Sequence, residues 1–193
     1  MPARNKPLNT TGQITSAMLD VAADFGFAPV ASNEVQQALQ MTALLMKHEV
    51  TSEDTILSVQ RLQKGSSLVY RQGGEVTAVV GILLLRPEAL NQLMNGAFDA
   101  MRPSLDLLSR ADEAPACGYS WGIAASTKPA GAAAMAMGMS FRSGPLSSLL
   151  FFTRAVSSVG RHVALTRGGY EPLRWPDDDL LVRRPAIAKR RAA

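Results

Sequence analysis

The feature that most constrains the fold is an apolar, β-branched run at Glu75–Leu85. A shorter apolar run, Ser67–Arg71, precedes it, and the linking residues Gln72, Gly73 and Gly74 are typical of a β-hairpin turn. The longer run is apolar at nearly every position instead of at alternate positions. That pattern predicts a strand buried on both faces, and we therefore expect it near the middle of a sheet.

Helical patterns precede the hairpin. Apolar residues recur at helical spacing over Glu34–Lys47, and a second helix is predicted from Thr51 or Ser52 through Gln63. Farther upstream, only Ile14–Phe25 shows a helical pattern. Two helices are therefore expected immediately before the hairpin.

Strands and helices alternate after the hairpin. A helical stretch at Glu88–Ala100 leads into a loop-rich connection, which is the region best suited to a lid or a substrate-facing insertion. This order predicts an α/β domain with a mixed central sheet. The later predicted elements are strands at 119–125, 149–156, 170–175 and 180–183, and helices at 130–139 and 159–167.

The length of 193 residues fits one domain with extended ends. We expect an N-terminal extension with a short helix at 1–33 and a main domain at 34–183. The main domain carries an insertion at 87–116, and a basic flexible tail follows at 184–193.

The basic residues are concentrated at the ends of the chain. The sequence has 20 Lys and Arg against 16 Asp and Glu, and Arg183–Ala193 holds five basic residues and no acidic one. Residues 1–182 therefore carry 15 basic and 16 acidic side chains. Because nucleic-acid binding usually needs a basic face on the folded body, this distribution disfavours it, and a solvated tail is the simpler interpretation.

The single cysteine, Cys117, excludes an internal disulfide and suits a reducing compartment. No apolar run approaches the roughly 20 residues that span a bilayer, and the polar start lacks a secretory signal core. We therefore expect a soluble, cytoplasmic protein. His48 and His162 have no companion at metal-ligand spacing, so no metal site is expected.

The segment most informative about chemistry is GYSWGIAASTKPAGAAAMAMG, residues 118–138. A predicted buried strand runs into a turn of small residues and then into an alanine-rich helix. Free amides at a helix N-terminus, together with the helix dipole, can bind phosphate if side chains leave room. Gly131 provides that room, and Lys128 adds a positive charge. The alternative is an alanine-rich helix that simply packs against a sheet.

The residues Lys128-Pro129-Ala130-Gly131-Ala132-Ala133 resemble the pyrophosphate-binding motif of GNAT-family N-acetyltransferases. That motif reads Arg or Gln, two residues, Gly, one residue, then Gly or Ala, and here Lys replaces the first residue. Residues 151–173 resemble the closing unit of the family, in which a strand, a helix, a Gly-aromatic pair and a strand follow one another. The resemblance covers about 34–183 and implies the acyl-CoA N-acyltransferase (GNAT-like) fold, with a mixed, mostly antiparallel sheet flanked by helices.

The resemblance also implies a co-substrate and its contacts. Acetyl-CoA, or another acyl-CoA, would lie where two central strands separate, and an amine of a small molecule or protein would accept the acyl group. No metal is implied, and the oligomeric state stays open, a homodimer included. The expected cofactor contacts are the backbone of Ile123, Ala124 and Ala125 for pantetheine, and Lys128 with the amides of Gly131, Ala132 and Ala133 for pyrophosphate.

The sequence departs from the family at the catalytic positions. Leu165 stands where many members have the tyrosine acid, and Ser158 stands where an asparagine is common. The remaining candidates are Ser158 as a hydrogen-bond donor, Tyr170 as a substitute acid and Glu75 as a base. Each has a simpler interpretation: a helix N-cap for Ser158, a core aromatic for Tyr170 and a solvated hairpin residue for Glu75.

Three functions follow from these observations. The leading one is an acyltransferase that moves an acetyl or other acyl group from coenzyme A to an amine. The second is a catalytically inactive GNAT-like binding or assembly module, which the missing tyrosine favours. The third, a nucleic-acid-associated regulator acting through its basic tails, is disfavoured by the near-neutral body.

Overall fold

The computed structural model of the protein describes residues 9–173 and 179–185. In these residues one sheet of seven strands has the order β1-β2-β3-β4-β5-β7-β6. Neighbouring strands are antiparallel except for β4 and β5, which run parallel. The strands are β1 (Phe27–Pro29), β2 (Ser67–Gln72), β3 (Glu75–Leu85), β4 (Cys117–Ala125), β5 (Leu150–Arg154), β6 (Glu171–Pro172) and β7 (Leu180–Arg183).

Four of the helices begin after an N-cap residue whose side chain bonds to the first turn. The side chains of Thr10, Ser52, Thr127 and Ser157 each accept a hydrogen bond from a backbone amide of the first turn that follows. Short 3₁₀ turns lie at Ser32–Glu34 and Leu105–Leu107. The helices are α1 (Thr11–Asp24), α2 (Val35–Met46), α3 (Glu53–Leu62), α4 (Pro87–Met94), α5 (Lys128–Ser143) and α6 (Ser158–Thr166).

Helices cover both faces of the sheet. Helices α1 and α5 pack on one face, where Val80, Ile82 and Leu84 of β3 belong to the same buried cluster as residues of both helices. Leu83 and Leu85 point to the other face, which residues of α3, α4 and the β3–β4 connection cover. The apolar run in β3 is therefore central because alternate side chains enter two separate cores.

The N-terminal segment contributes to the main core. Ile14, Met18 and Ala22 of α1 are buried, and β1 pairs with β2. The rings of Phe27 and Tyr70 lie 5.3 Å apart between their centroids. Residues 11–29, expected as an extension with a short helix, thus supply one layer and one strand of the domain. With β1 included, the strand before the alanine-rich helix is the fourth.

Several predicted boundaries move because of local backbone geometry. The helix expected at 88–100 ends at Met94, since Gly96 adopts a positive φ of 76° and turns the chain. Phe98, which follows this turn, is buried against Tyr119. The strand expected at 170–175 is only Glu171–Pro172 within the described residues, and positions 174 and 175 lie outside them.

Beyond Gly81, side chains and a loop replace β2 as the neighbour of β3. The amide group of Gln63 donates to the carbonyl of Leu84 (2.6 Å) and accepts from its N–H (3.0 Å). The backbone amide of Ser109 also donates to the Leu84 carbonyl, at 2.9 Å. This edge of β3 therefore has hydrogen-bond partners although its neighbouring strand has ended.

Candidate active site

The two parallel strands β4 and β5 separate partway along their length. Their pairing extends from Cys117 opposite Leu150 to Ser120 opposite Thr153. At the last pair, the Thr153 hydroxyl donates to the Ser120 carbonyl across 3.1 Å. Beyond it, β4 continues to Ala125 with β3 as its only paired strand among the described residues. A gap therefore opens in the sheet beside the second half of β4.

A β-bulge lies at the point of separation. Gly81 of β3 pairs with Gly122, whereas the next residue of β3, Ile82, pairs with Ser120. Trp121 is therefore the extra residue of the bulge, which bends the strand locally. The bulge separates the half of β4 that pairs with β5 from the half that faces the gap.

Alternation along β4 determines which backbone groups face this gap. The amide of Ser126 donates to the carbonyl of Thr77 at 2.9 Å, which identifies a hydrogen-bonded antiparallel pair. Two residues back, Ala124 therefore also directs its N–H and C=O toward β3, whereas Ile123 and Ala125 direct theirs toward the gap. Within the described part of the chain these groups have no hydrogen-bond partner, and Ile123 is 48% exposed.

The N-terminus of α5 lies immediately after this open edge. Only Ser126 and Thr127 separate β4 from the helix. The Thr127 hydroxyl accepts from the amide of Ala130 (3.3 Å) and donates to Oε1 of Gln72 in the β2–β3 turn (2.8 Å). This end of the helix is thus held by its own cap and by the neighbouring hairpin.

The amides that are free to bind phosphate lie earlier in the chain than the sequence motif indicated. The amide of Gly131 donates to the carbonyl of Thr127 at 2.9 Å, and the amides of Ala132 and Ala133 lie inside the helix, where each amide bonds to the carbonyl four residues earlier. The amides expected to hold pyrophosphate are therefore already hydrogen-bonded. In the described residues, the amides of Thr127 and Lys128 have no acceptor and remain available.

Gly131 still provides room beside the open edge. A Cβ at this position would lie 3.6 Å from the Cβ of Ala125, which is an ordinary contact. A larger side chain would extend from the start of the helix toward the end of β4. Lys128 is exposed at the same end of α5, so its charge is accessible to an anion there.

Ser158 lies on the chain that leaves β5. The N-cap of α6 is Ser157, whose side chain accepts from the amide of Gly160 at 3.0 Å. The simpler role suggested for Ser158, that of helix cap, is therefore wrong by one residue. Ser158 is the exposed first residue of α6 and its hydroxyl has no hydrogen-bond partner among the described residues. It begins the helix that follows β5, the strand on the other side of the gap from β4.

Glu75 lies at the phosphate end of the site. It begins β3 opposite Gln72, two residues before Thr77, whose carbonyl bonds to Ser126. Its partner Gln72 accepts a hydrogen bond from Thr127, so Glu75 lies at the end of the sheet where α5 begins. Six residues separate it from Gly81 at the bulge, about 20 Å along a strand. The structure does not bring Glu75 to the point where the strands separate.

Tyr170 lies toward the other end of α5. Burial raises its pKa to about 12, and its phenol hydrogen-bonds to the guanidinium of Arg183. Arg142, in the last turn of α5, donates to the carbonyls of Arg167 and Gly168 just before it. Tyr170 therefore joins the buried structure at the base of β5 and does not face the gap.

Three hydrogen bonds hold part of the β3–β4 connection beside the bulge. The indole Nε1 of Trp121 donates to the carbonyl of Ala100 at 2.6 Å. The Thr51 hydroxyl donates to the carbonyl of Met101 at 2.7 Å, and Arg154 at the end of β5 contacts the carbonyl of Phe98 at 3.5 Å. Sequence reasoning expected a lid here and did not identify these anchors, since each joins residues far apart in the chain.

The remaining sequence-level candidates have structural environments. Cys117 is fully buried, and burial raises the pKa of its thiol to about 12. Across residues 9–173 and 179–185, no three His, Cys, Asp or Glu side chains come together as a metal site. The same residues contain no helix that is both long and apolar enough to cross a bilayer.

No protein-family model matches this sequence, and no curated protein matches it. Solved acetyltransferases are similar in structure. One is a histone acetyltransferase HPA2-related acetyltransferase from Corynebacterium glutamicum, with a TM-score of 0.49, 17% identity, and coverage of 84% of this chain and 97% of the other. An Ard1 protein from Thermoplasma volcanium has a TM-score of 0.49 and 12% identity, over 83% of this chain and 97% of its own.

A third similar structure is Naa20 from Chaetomium thermophilum in complex with a bisubstrate analogue. Its TM-score is 0.48 and its identity 9%, over 82% of this chain and 86% of the other. At such identities and at TM-scores below 0.5, these proteins identify no residue of this site. The fold is therefore identified from the chain's own strand order.

The decisive features are the single parallel pair of β4 and β5, the separation of the two strands after four pairs, and the helix that follows β4. They agree with the cofactor position that the resemblance implied, between two central strands that separate, and the motif residues Lys128–Ala133 begin the helix after β4. The protein therefore has a GNAT-like N-acetyltransferase fold.

Proposed function

We propose that the protein is an acyltransferase that binds acetyl-CoA, or another acyl-CoA, at the open edge of β4 and transfers the acyl group to an amine. The single observation that supports it most is the pair of unpaired backbone positions, Ile123 and Ala125, facing a gap in the middle of the sheet. A central sheet normally satisfies such groups, and leaving them open to a ligand is a way to bind one.

The pantetheine arm has the chemistry that this edge requires. It is an extended chain with two amide groups, so it can add to the sheet as a short strand. Ile123 and Ala125 supply the donors and acceptors, while Ala124 stays bonded to β3. Of the three residues expected to bind pantetheine, two would therefore do so directly and the third would hold the strand in register.

The diphosphate would lie at the start of α5. Its donors would be the free amides of Thr127 and Lys128 together with the Lys128 ammonium, and the helix dipole favours an anion at this end. Gly131 would contribute by having no side chain, since its amide is already bonded within the helix. Glu75 lies at this same end of the sheet and away from the bulge, which argues against its expected role as the base at the reacting thioester.

The reaction requires alignment more than a dedicated nucleophile. A neutral amine attacks the thioester carbonyl carbon, a C–N bond forms and the C–S bond breaks. The amine gives up one proton to a base, and the departing thiolate takes up one. Holding the two reactants in contact supplies much of the rate. The free hydroxyl of Ser158 is our candidate donor to the thiolate.

A matched pair of glycines in α5 tests the proposal. Gly131→Glu adds bulk and negative charge beside the open edge, whereas Gly138→Glu makes the same change two turns later, where an added Cβ meets no atom within 4 Å. We expect acetyl-CoA to raise the Tm of the wild type and of Gly138→Glu by mass action. Gly131→Glu should abolish the shift. No shift for the wild type at millimolar acetyl-CoA would overturn the proposal.

A second candidate, a catalytically inactive acyl-CoA-binding or assembly module, is favoured by one observation. Neither Tyr170 nor Glu75, the acid and the base expected from the sequence, faces the gap, which leaves Ser158 as the remaining one of the three catalytic candidates. A thermal shift without consumption of the thioester, across a panel of amine acceptors, would support this module over the enzyme. Thioester consumption that depends on an amine would support the enzyme.

We also propose a cytoplasmic location. A single, buried cysteine needs no oxidising compartment to fold. The basic residues of the C-terminal tail from 186 onward, which the third function would use, lie outside the described residues.

A further inference from the structure

A shallow, open cleft of about 250 Å³ lies between the start of α3 and residues 102–105 of the β3–β4 connection, and no residue of β4 or β5 lines it. The first turns of α3 form one wall, and residues 102–105, which follow the hydrogen-bonded residues Ala100 and Met101, form the other. Its volume is below the roughly 300–1,000 Å³ of pockets that hold drug-sized ligands, so it suits a small molecule. The lining residues are Asp54, Thr55, Ser58, Arg102, Pro103 and Leu105.

The cleft presents two opposite charges. Asp54 is on the α3 wall and Arg102 on the other. In the part of the chain that the structure describes, neither side chain has an ion-pair or hydrogen-bond partner. By contrast, Arg71 and Arg86 each form a paired interaction with a carboxylate. Two free, opposite charges across one small cleft are suited to a ligand that carries both signs.

Hydrogen bonds connect this cleft to the bulge of β4. The Met101 carbonyl, next to Arg102, accepts from Thr51 just before α3, and the Ala100 carbonyl accepts from the indole of Trp121. Arg102 is thus two residues from a direct contact with the bulge, at most about 7 Å along the backbone. Ala100, Met101 and Arg102 therefore form one stretch of chain that links the cleft to the bulge.

We propose that this cleft binds the acyl acceptor and that the acceptor is a small zwitterion of the amino-carboxylate class. The role of the ligand as acyl acceptor rests on the proposed function, whereas the existence of the binding site does not. The planar guanidinium of Arg102 holds the carboxylate, and the Asp54 carboxylate holds the ammonium, which must give up one proton to a base before the neutral amine attacks the thioester. Pro103 and Leu105 contact the apolar part between them.

Direct binding tests the site without acetyl-CoA. The probes are the free amino acids, each compared with its α-carboxamide, which lacks the carboxylate, and its N-acetyl form, which lacks the ammonium. We expect at least one amino acid to bind, by calorimetry or a Tm shift at millimolar concentration. Both modified forms of it should bind at least about fivefold more weakly, a modest ratio because both charges are exposed.

Two substitutions assign the two charges. Arg102→Gln should remove the preference for the acid over the carboxamide, and Asp54→Asn should remove the preference for the free amine over the N-acetyl form. Matched controls are Glu53→Gln, in the same first turn of α3, and Arg110→Gln, in the same connection; neither residue lines the cleft. The controls should keep both preferences.

The outcomes separate this inference from the proposed function. Failure of every amino acid to bind, or preferences that survive both substitutions, would overturn the zwitterion site whatever acetyl-CoA does. Loss of acetyl-CoA binding in Gly131→Glu with zwitterion binding retained would support two distinct sites. If the wild type binds a zwitterion but not acetyl-CoA, the proposed function fails and the cleft remains a binding site.

Discussion

The two halves of β4 each contain small residues and one glycine, yet they have opposite environments. In the first half, Cys117–Ser120, strands pair on both sides and Cys117 is fully buried. In the second half, Gly122–Ala125, β3 is the only paired strand among the described residues, and Ile123 is about half exposed. Both halves are rich in small residues, so composition does not distinguish them. The difference is that β5 pairs with the first half of β4 and not with the second.

Each half contains one glycine, and their surroundings show the same contrast. A Cβ on Gly118 would lie 2.1 Å from an atom of the Phe151 ring, which occupies that space. A Cβ on Gly122 would meet only the methyl group of Met46, at 3.8 Å. The first glycine is needed for packing in the folded protein, whereas the second leaves space beside the bulge.

The largest expected effect tests this contrast directly. Gly118→Ala should destabilise the fold by about 3 kcal/mol or more, because the added methyl overlaps a buried ring that cannot move freely. Gly122→Ala should change stability by less than about 1 kcal/mol. Urea denaturation of both variants measures the difference. Equal destabilisation would show that the two halves are packed alike.

Proline substitutions at two adjacent residues of β4 test which backbone amides bond to β3 and which face the gap. Ala124→Pro removes an N–H that bonds to β3 and should cost about 3 kcal/mol. Ile123→Pro removes an N–H that faces the gap, so the fold should survive. The apparent affinity for acetyl-CoA, measured from the Tm shift, should fall at least tenfold, which is about 1.4 kcal/mol of binding free energy. Thermal shifts with and without ligand separate the two. Unchanged ligand binding in Ile123→Pro would remove the open edge from the proposed site.

The two serines after β5 provide a smaller effect. Ser157→Ala removes the cap of α6 and should cost about 1 kcal/mol in stability with little effect on transfer by the remaining folded protein. Ser158→Ala should leave stability unchanged and lower kcat about tenfold if its hydroxyl serves the thiolate. Denaturation and steady-state kinetics on both variants check this. Normal kcat in Ser158→Ala would assign the acid role elsewhere.

The smallest expected effect is on stability at low pH, and it concerns Glu113 in the β3–β4 connection, just before the first half of β4. Hydrogen bonding from Arg86 lowers the pKa of Glu113 to about 2 from 4.5. A lowered folded-state pKa stabilises above the unfolded value and loses that contribution as pH falls from about 4.5 to about 2. Tm measured across this range should therefore fall less steeply in Glu113→Gln. Because Glu113 is only partly buried, water screens its interaction with Arg86 and the difference should be small; identical profiles would contradict it.

The local features of the fold were readable from short stretches of sequence. Both ends of Glu75–Leu85 and of Leu180–Arg183 agree with the structure, and Ser52, one of the two residues from which the second helix was expected to begin, is the N-cap of α3. Hairpin glycines, continuous apolar runs and capping hydroxyls act within a few residues, so short stretches of sequence reveal them. The short strand β1 was not predicted. Its three residues carry too weak a pattern, and its stability comes from pairing with β2 about 40 residues away.

The candidate site was predictable in position and less so in chemistry. The turn at Lys128 and Gly131 lies at the start of α5, as the small residues indicated. The bonded state of the Gly131 amide, however, depends on where the helix begins, and the positions of Glu75 and Tyr170 depend on strand register and on Arg183. Spacing along the chain carries none of that information.

By itself, the sequence determined that a buried hairpin strand, an alanine-rich helix with a small-residue start and a set of capped helices would form, because these depend on neighbours in the chain. Only the tertiary structure decided that β5 leaves β4 after four pairs, that Thr127 caps α5 with Gln72 beside it, and that Asp54 faces a cleft with Arg102. Such features join residues that are distant in sequence, and their energies exist only once the sheet has assembled.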